Sequence, residues 1–278
     1  MFISFLRFWY YVITFAYIVY RYIKYRVKKL FHKKENFSQI QHKRHFKILS
    51  KEKSLKILND QQFFNSFTKY DWKARMNSCG ISEIQEYSNV IKDSLVPINE
   101  ISFDNLMHLN DSCKQVDELI NNHTFNHDKW FNPTEFNNIP WKFIFVNGKY
   151  EDNLPHTRKD VIILPIDALS RTKNDLIELL IHEKIHIYQR KYADEIHAYL
   201  LKNGYEVIPG HKLKRANPDI NEYTYKRNNK IFSCDYVSKN PQNISDVFYV
   251  GGEYSQKNEH PFEAMAILFS KKVTLKLN

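Results

Sequence analysis

The chain has few cysteines, and their arrangement excludes two classes of protein. Its 278 residues include three Cys, at positions 79, 113 and 234, and no Cys-x-x-Cys pair. This odd, widely spaced set provides neither a disulfide framework nor a cysteine zinc site, and it favours a reducing compartment. The chain also lacks internal repeats and low-complexity tracts. Hydrophobic residues make up 43% and aromatics 15%, so global disorder is excluded.

Acidic residues are missing from the first 34 positions, which hold eight Lys and Arg. Those eight charges leave only +2 of the formal net charge of +10 for all the remaining residues. The basic excess is therefore a local feature of the N-terminus. We expect no nucleic-acid partner for the folded part of the chain.

The first 20 residues carry one charge, Arg7, in an otherwise apolar and aromatic run. This length predicts a transmembrane anchor over residues 1–22, with an in-plane amphipathic anchor as the alternative. No small-residue cleavage site follows, so a removed signal peptide is disfavoured. Residues 23–60 are predicted to form a basic juxtamembrane segment. By the positive-inside rule the C-terminal part lies on the cytosolic (or virion-interior) face, and membrane lipid is an expected partner.

The most informative motif is His182-Glu183-Lys184-Ile185-His186, which lies within an apolar run. Two histidines four residues apart share one helix face, so both imidazoles can reach one zinc ion (Zn²⁺). Glu183 beside them is placed to take a proton from water and pass it to a leaving amine. Thr172 is predicted to cap this helix, with Asp175 in its first turn. A chance match in a chain with 12 His is the alternative.

A hydrolytic zinc site needs a third protein ligand and one open position. Gln189 and Tyr192 occupy the Gly and His positions of the long metzincin motif, which excludes that class. Glu263 is the predicted third ligand, because Pro261 suits the first turn of a second helix. The competing ligands are Glu259, His197 and His211. A first-turn carboxylate that serves only the helix dipole is a further possibility for Glu263.

The pattern resembles the gluzincin metallopeptidases, whose third ligand is a glutamate on a second helix. Uncharacterised membrane-anchored proteins of large DNA viruses are similar in three stretches: residues 154–158, 182–190 and 259–263. This resemblance covers roughly residues 140–270. It implies zinc, peptidase chemistry and a peptide or protein substrate, without specifying which one.

The predicted fold class is α+β: a mainly helical, zincin-like metallopeptidase domain with a small sheet, preceded by a helical segment and the anchor. We place the helical subdomain at residues 61–130 and the zincin-like domain at residues 131–278. Residues 141–146 alternate as a strand and run into Asn147-Gly148, which predicts a hairpin. A second strand is predicted over residues 160–165. Helices are expected from Glu83 to about Leu95 and from Phe103 to about Ile120.

Residues 205–258 are rich in turns and are predicted to include a short hairpin over the cleft. The hypothesis of an oxyanion-stabilising donor applies to six residues, which are His156, Tyr223, Tyr225, Tyr236, Tyr249 and Tyr254. The alternative is that the tyrosines only pack and that His156 and Arg158 are ordinary turn residues. Two functions follow from the sequence. The first is a membrane-anchored zinc peptidase, and the second is a non-catalytic membrane-tethered module with a structural or degenerate zinc site.

Overall fold

The computed structural model describes residues 19–24, 26, 44–125, 128–210, 215–250 and 259–277. The chain divides into two compact units, Met1–Arg44 and His45–Asn278. Residues 19–24 of the first unit are helical. No helix within the described residues combines the length and the apolar character that crossing a bilayer requires. The anchor predicted over residues 1–22 falls mostly on residues 1–18, which lie outside the described part.

Within its described residues, the second unit mixes helices with three small sheets, so the α+β class is confirmed and the finer zincin-like assignment stays a prediction. Its helices are α1 (Lys51–Leu58), α2 (Gln61–Phe64), α3 (Lys69–Cys79), α4 (Tyr87–Ser94), α5 (Phe103–Asn122), α6 (Pro133–Asn137), α7 (Lys173–Lys191), α8 (Ala193–Lys202) and α9 (Pro261–Thr274). Its strands are β1 (Phe46–Ile48), β2 (Trp141–Val146), β3 (His156–Arg158), β4 (Val161–Pro165), β5 (Glu206–Val207), β6 (Tyr225–Arg227), β7 (Lys230–Phe232), β8 (Cys234–Tyr236) and β9 (Val247–Tyr249).

The largest sheet has the strand order β1-β2-β4-β3. β2 pairs with β4 in parallel, so the hairpin predicted at Asn147-Gly148 is wrong. Nearly every residue of β2 and all of β4 are buried, and strands covered on both faces are typical of parallel sheets. The chain therefore crosses over through residues 147–160. The hairpin lies one strand later, where β3 runs antiparallel to β4 and Lys159 adopts a φ of 54°.

β1 lies within the segment predicted to be juxtamembrane, yet it joins this sheet by pairing in parallel with β2. Phe46 is buried there and meets the Phe143 ring edge to face at 5.6 Å. Residues 47 and 48 are less buried, and a strand of three residues is too short to show the alternation of apolar and polar side chains. The pairing partner lies 95 residues away in sequence, which explains why local pattern does not reveal this strand.

The helices of residues 61–122 follow from their capping residues. Ser102 begins α5 by accepting from the backbone N–H of Asn105, as predicted. The helix expected at Glu83 starts instead as a 3₁₀ turn over Ile84–Glu86, because Glu83 and Glu86 cap each other, and α4 follows from Tyr87. α4 buries an apolar face against the largest sheet, and α5 buries one against α7.

α7 is the central helix and is almost wholly buried over its second half. Thr172 caps it by accepting from the N–H of Asp175, as the sequence predicts. The Lys184 ammonium is buried and lies 3.0 Å from the Asp117 carboxylate of α5, which ties the two helices together. The expected continuation beyond Arg190 exists as a separate helix, α8, because Tyr192 leaves the helical conformation.

Candidate metal centre and cleft

Three side chains from α7 and α9 meet at one point. The Nε2 atoms of His182 and His186 are 3.0 Å apart, and they lie 3.5 and 3.3 Å from Oε2 of Glu263. Zinc bound at 2.0–2.1 Å in tetrahedral geometry requires its ligand atoms to be about 3.4 Å apart. The three observed separations bracket this value. The spacing of the three ligand atoms is therefore compatible with that of a zinc site.

The local sequence explains why these atoms meet. The four-residue spacing stacks His182 and His186 on one face of α7. Pro261 occupies the first turn of α9 and His260 caps it, which places Glu263 in the first turn, beside α7. Glu263 was one of several candidate ligands from the sequence, and it is the one that the structure brings to the histidine pair.

The electrostatics of the three groups are mutually favourable. Burial alone lowers the pKa of His186, but the Glu263 carboxylate outweighs it and raises that pKa to about 9. Burial raises the pKa of Glu263, and the two histidines overcome this and hold it well below its usual range. A cation is therefore favoured at this point, and a divalent metal ion would replace the proton that Glu263 holds on His186.

Glu183 lies in the wall of the same cleft with its side chain only 3% exposed. Among the described residues, its Oε2 atom has no hydrogen-bond partner. Burial, and next the Asp219 carboxylate, raise the pKa of Glu183 well above its usual value. A buried carboxyl group in the cleft wall, with one oxygen that makes no hydrogen bond among the described residues, is suited to exchange a proton with a bound molecule.

The cleft itself has a volume of about 670 Å³ and opens onto the ligand cluster. The side chains of His182 and Glu263 are 21% and 15% exposed, so the cluster is reached from solvent. Both signs of charge line the walls, with Asp175, Glu178 and Glu259 facing Arg171 and Arg215. This volume is sufficient for several residues of an extended peptide or for a small-molecule substrate.

A short loop, residues 215–219, forms one wall of the cleft. Asn217 donates from Nδ2 to Oε1 of Glu263 at 2.8 Å, and its Oδ1 accepts from the N–H of Asp219. The Asp219 carboxylate in turn accepts from the N–H and hydroxyl of Thr157 on β3. Oε1 of Glu263 is therefore occupied, and Oε2 is left to face the histidines. The sequence marked Asn217-Pro218 only as a turn.

The competing ligands lie elsewhere. Glu259 lines the cleft, but its Oε1 accepts from the Tyr249 hydroxyl at 2.6 Å and it is not part of the ligand cluster. His197 lies 2.8 Å from the Tyr225 hydroxyl through Nδ1 and packs against the Tyr223 ring. His211 falls outside the described residues.

Of the candidate oxyanion donors that the structure describes, His156 and Tyr249 line the cleft. Burial lowers the pKa of His156, so its ring is neutral, and Nδ1 lies 3.0 Å from the carbonyl of Leu154. Because a carbonyl only accepts, Nδ1 carries the proton and Nε2 is a bare acceptor. His156 in this tautomer is therefore placed to accept a hydrogen bond and not to donate one.

The other described candidates, Tyr223, Tyr225 and Tyr236, do not line the cleft. The Tyr236 hydroxyl donates to Asp71, and Tyr225 bonds to Asn221. Tyr223 contributes its backbone carbonyl to the His260 ring. The hairpin of β6 and β7 exists as predicted, but it does not form a wall of this cleft. Tyr254 falls outside the described residues.

A buried ion pair that no sequence pattern indicated also lines the cleft. Arg75 of α3 donates from Nε and Nη2 to the two oxygens of Glu151, at 2.8 and 2.7 Å. Glu151 has a φ of 47°, and the next two residues are also left-handed. Arg158 does not line the cleft, and its guanidinium lies over the Phe63 ring. No local signal joins residues 75 and 151, since they meet only in the folded chain.

Comparison of the chain with known protein families, with curated proteins and with solved structures finds no match.

Proposed function

We propose that the chain is a zinc-dependent peptidase whose metal ligands are His182, His186 and Glu263. The observation that carries this proposal is the convergence of their three ligand atoms at separations of 3.0 to 3.5 Å on an open cleft. Two imidazole nitrogens and one carboxylate oxygen are a donor set that suits zinc. When bound, zinc acts as a Lewis acid that polarises the scissile carbonyl and lowers the pKa of water.

Glu183 is the proposed proton carrier of the reaction. A cation bound at the neighbouring cluster would counter the burial that raises the pKa of Glu183, and the resulting carboxylate would take a proton from the attacking water and later give it to the leaving amine nitrogen, so that one water is consumed for each peptide bond cleaved. The free Oε2 atom in the cleft wall supports this role, because no neighbouring side chain among the described residues competes for it. Peptide is the proposed substrate because the cleft offers both signs of charge and room for an extended chain.

The open cleft favours an enzyme over a non-catalytic module. Structural zinc sites are closed by four protein ligands, whereas catalytic sites keep one position open. Within the described residues, the candidate cluster contains three ligands, and two of them are partly exposed to the cleft. A tethered scaffold with a structural site would not require Glu183 beside an accessible metal.

The substitution Glu183→Gln tests the mechanism directly. We expect it to keep stoichiometric zinc and to lower kcat/KM against a peptide library by about 10²–10⁴-fold, the usual contribution of general acid–base catalysis. His182→Ala should lose the zinc as well, measured by elemental analysis. Glu178→Gln is the matched control, because Glu178 lines the same cleft on the same helix. An unchanged rate in Glu183→Gln would refute the mechanism, and zinc-free wild-type protein would refute the metal site.

We further propose that residues 1–22 anchor the peptidase in a membrane, with lipid as its partner there and the catalytic unit on the cytosolic (or virion-interior) face. The apolar run before Tyr20 and the eight basic charges within residues 1–34 support this proposal. Carbonate extraction of membranes that contain the full chain tests it. Release of all the protein into the supernatant would contradict an anchor.

A further inference from the structure

Gln189 is the least exposed polar residue beside the metal centre, with 0% of its surface accessible. It lies one turn after His186 on α7 and makes two hydrogen bonds. Its Oε1 is 3.0 Å from Nδ1 of His186, and its Nε2 donates to the backbone carbonyl of Phe262 at 2.9 Å. One amide therefore contacts the ring of one candidate ligand and the residue that precedes another, Glu263.

The backbone carbonyl of Phe262 fixes the donor and acceptor roles in these two hydrogen bonds. The Phe262 oxygen can only accept, so the amide nitrogen of Gln189 must face it. The amide oxygen must then face His186, and an oxygen acceptor requires a proton on Nδ1. In the neutral ring, the remaining nitrogen of His186, Nε2, then carries the lone pair that a metal ion would bind. That atom is the one that lies 3.0 Å from His182 and 3.3 Å from Glu263.

We propose that Gln189 is a positioning residue that fixes His186 in the tautomer able to bind metal and that joins the two ligand helices, α7 and α9. This inference rests on the proposed zinc site and adds a residue to it. A ligating histidine is held in place by the partner of its other nitrogen, and loss of such a partner typically weakens metal binding by 10–100-fold. Here the same side chain also sets the distance between the helices that carry the ligands.

Two substitutions separate the positioning role from simple packing. Gln189→Met keeps the volume and loses both hydrogen bonds. Gln189→Glu keeps an acceptor for Nδ1–H of His186 but places a negative charge against the Phe262 carbonyl. If Gln189 acts by orienting the His186 imidazole, Gln189→Glu binds zinc more tightly than Gln189→Met, even though Gln189→Glu is the less stable of the two proteins. A packing role alone gives the opposite order, because a buried charge is costlier than a thioether.

The experiment measures zinc affinity of the full chain by competition with a chromophoric chelator. We expect Gln189→Met to bind zinc about 10–100-fold more weakly than wild type, and Gln189→Glu to stay within about threefold. Lys191→Met is the control, since this side chain is about half exposed two residues further on. Thermal unfolding of the metal-free proteins gives the independent stability order.

Nitrogen-15 spectra of labelled histidine in the zinc-loaded chain provide a second measurement. They should show His186 protonated at Nδ1 and bound through Nε2 in wild type and in Gln189→Glu. Wild-type affinity in Gln189→Met, or binding of zinc through Nδ1, would refute the inference. If Gln189→Met does not fold, Gln189→Glu and the spectra still decide it. A wild-type chain that binds no zinc would refute the proposed function itself, which is a different result.

Discussion

The ion pair between Arg75 and Glu151 makes a quantitative prediction about stability in acid. Glu151 is 3% exposed and accepts two hydrogen bonds from Arg75 and a third from the Tyr87 hydroxyl at 2.8 Å. Burial by itself raises the pKa of Glu151, but the charge and hydrogen bonds of Arg75 outweigh it and lower the pKa to about 2. The ordinary value of this group is 4.5.

A depressed pKa in the folded state stabilises the protein above the unfolded-state pKa. The contribution of Glu151 is therefore fully present above pH 4.5 and is lost as the pH falls through about 2. A difference of roughly 2.5 units corresponds to about 3 kcal/mol, and linkage leaves roughly 1–2 kcal/mol at about pH 3. Glu151→Gln removes the charge and should make this contribution vanish at every pH.

Urea unfolding of the metal-free wild type and of Glu151→Gln over about pH 3 to pH 7 measures the effect. We expect the variant to be about 3 kcal/mol less stable near pH 7, with the difference roughly halved at about pH 3. Glu178→Gln is the control, because Glu178 accepts from the Thr274 hydroxyl instead of an arginine, and its substitution should cost less than about 1 kcal/mol. A difference between wild type and Glu151→Gln that does not change with pH would refute the argument.

Two further predictions concern the groups around α7. Asp117→Ala should lower the free energy of unfolding in urea by about 3–5 kcal/mol, because it leaves the buried Lys184 ammonium without its carboxylate. Lys184→Met should lower it clearly less, because it removes the buried charge itself. Equal losses of stability in the two variants would argue against a desolvated charge. Asn217→Leu should weaken zinc binding about 10-fold, because it removes the hydrogen bond to Oε1 that orients the Glu263 carboxylate. Competition with a chelator measures the zinc affinity of this variant. Unaltered zinc affinity in that variant would show that Glu263 needs no such support.

The sequence predicted the features that depend on local periodicity and capping. The cap at Thr172, the burial of α7 and the shared face of His182 and His186 follow from spacing within one helix. The start of α9 at Pro261 follows from the restricted geometry of proline. These signals operate over a few residues, so a single sequence is sufficient to find them.

The features that the sequence did not predict depend on pairings between distant segments. The parallel pairing of β2 and β4 turns an expected hairpin into a crossover. Gln189 first served only to exclude one motif, and its position between His186 and Phe262 is visible only when α7 and α9 pack together. The pairing of Arg75 with Glu151 spans 76 residues and leaves no periodic trace in either segment.

The long separation between α7 and α9 has a consequence for biosynthesis. His186 and Glu263 are 77 residues apart, and ribosomes add about 5–20 residues per second, so the carboxylate follows the imidazoles by roughly 4–15 s. During that interval the nascent chain has both histidines without the proposed third ligand, and α7 is not yet covered by α9. Loading of the proposed metal site therefore waits until synthesis has passed Glu263, and a chain interrupted before that residue would lack the proposed third ligand.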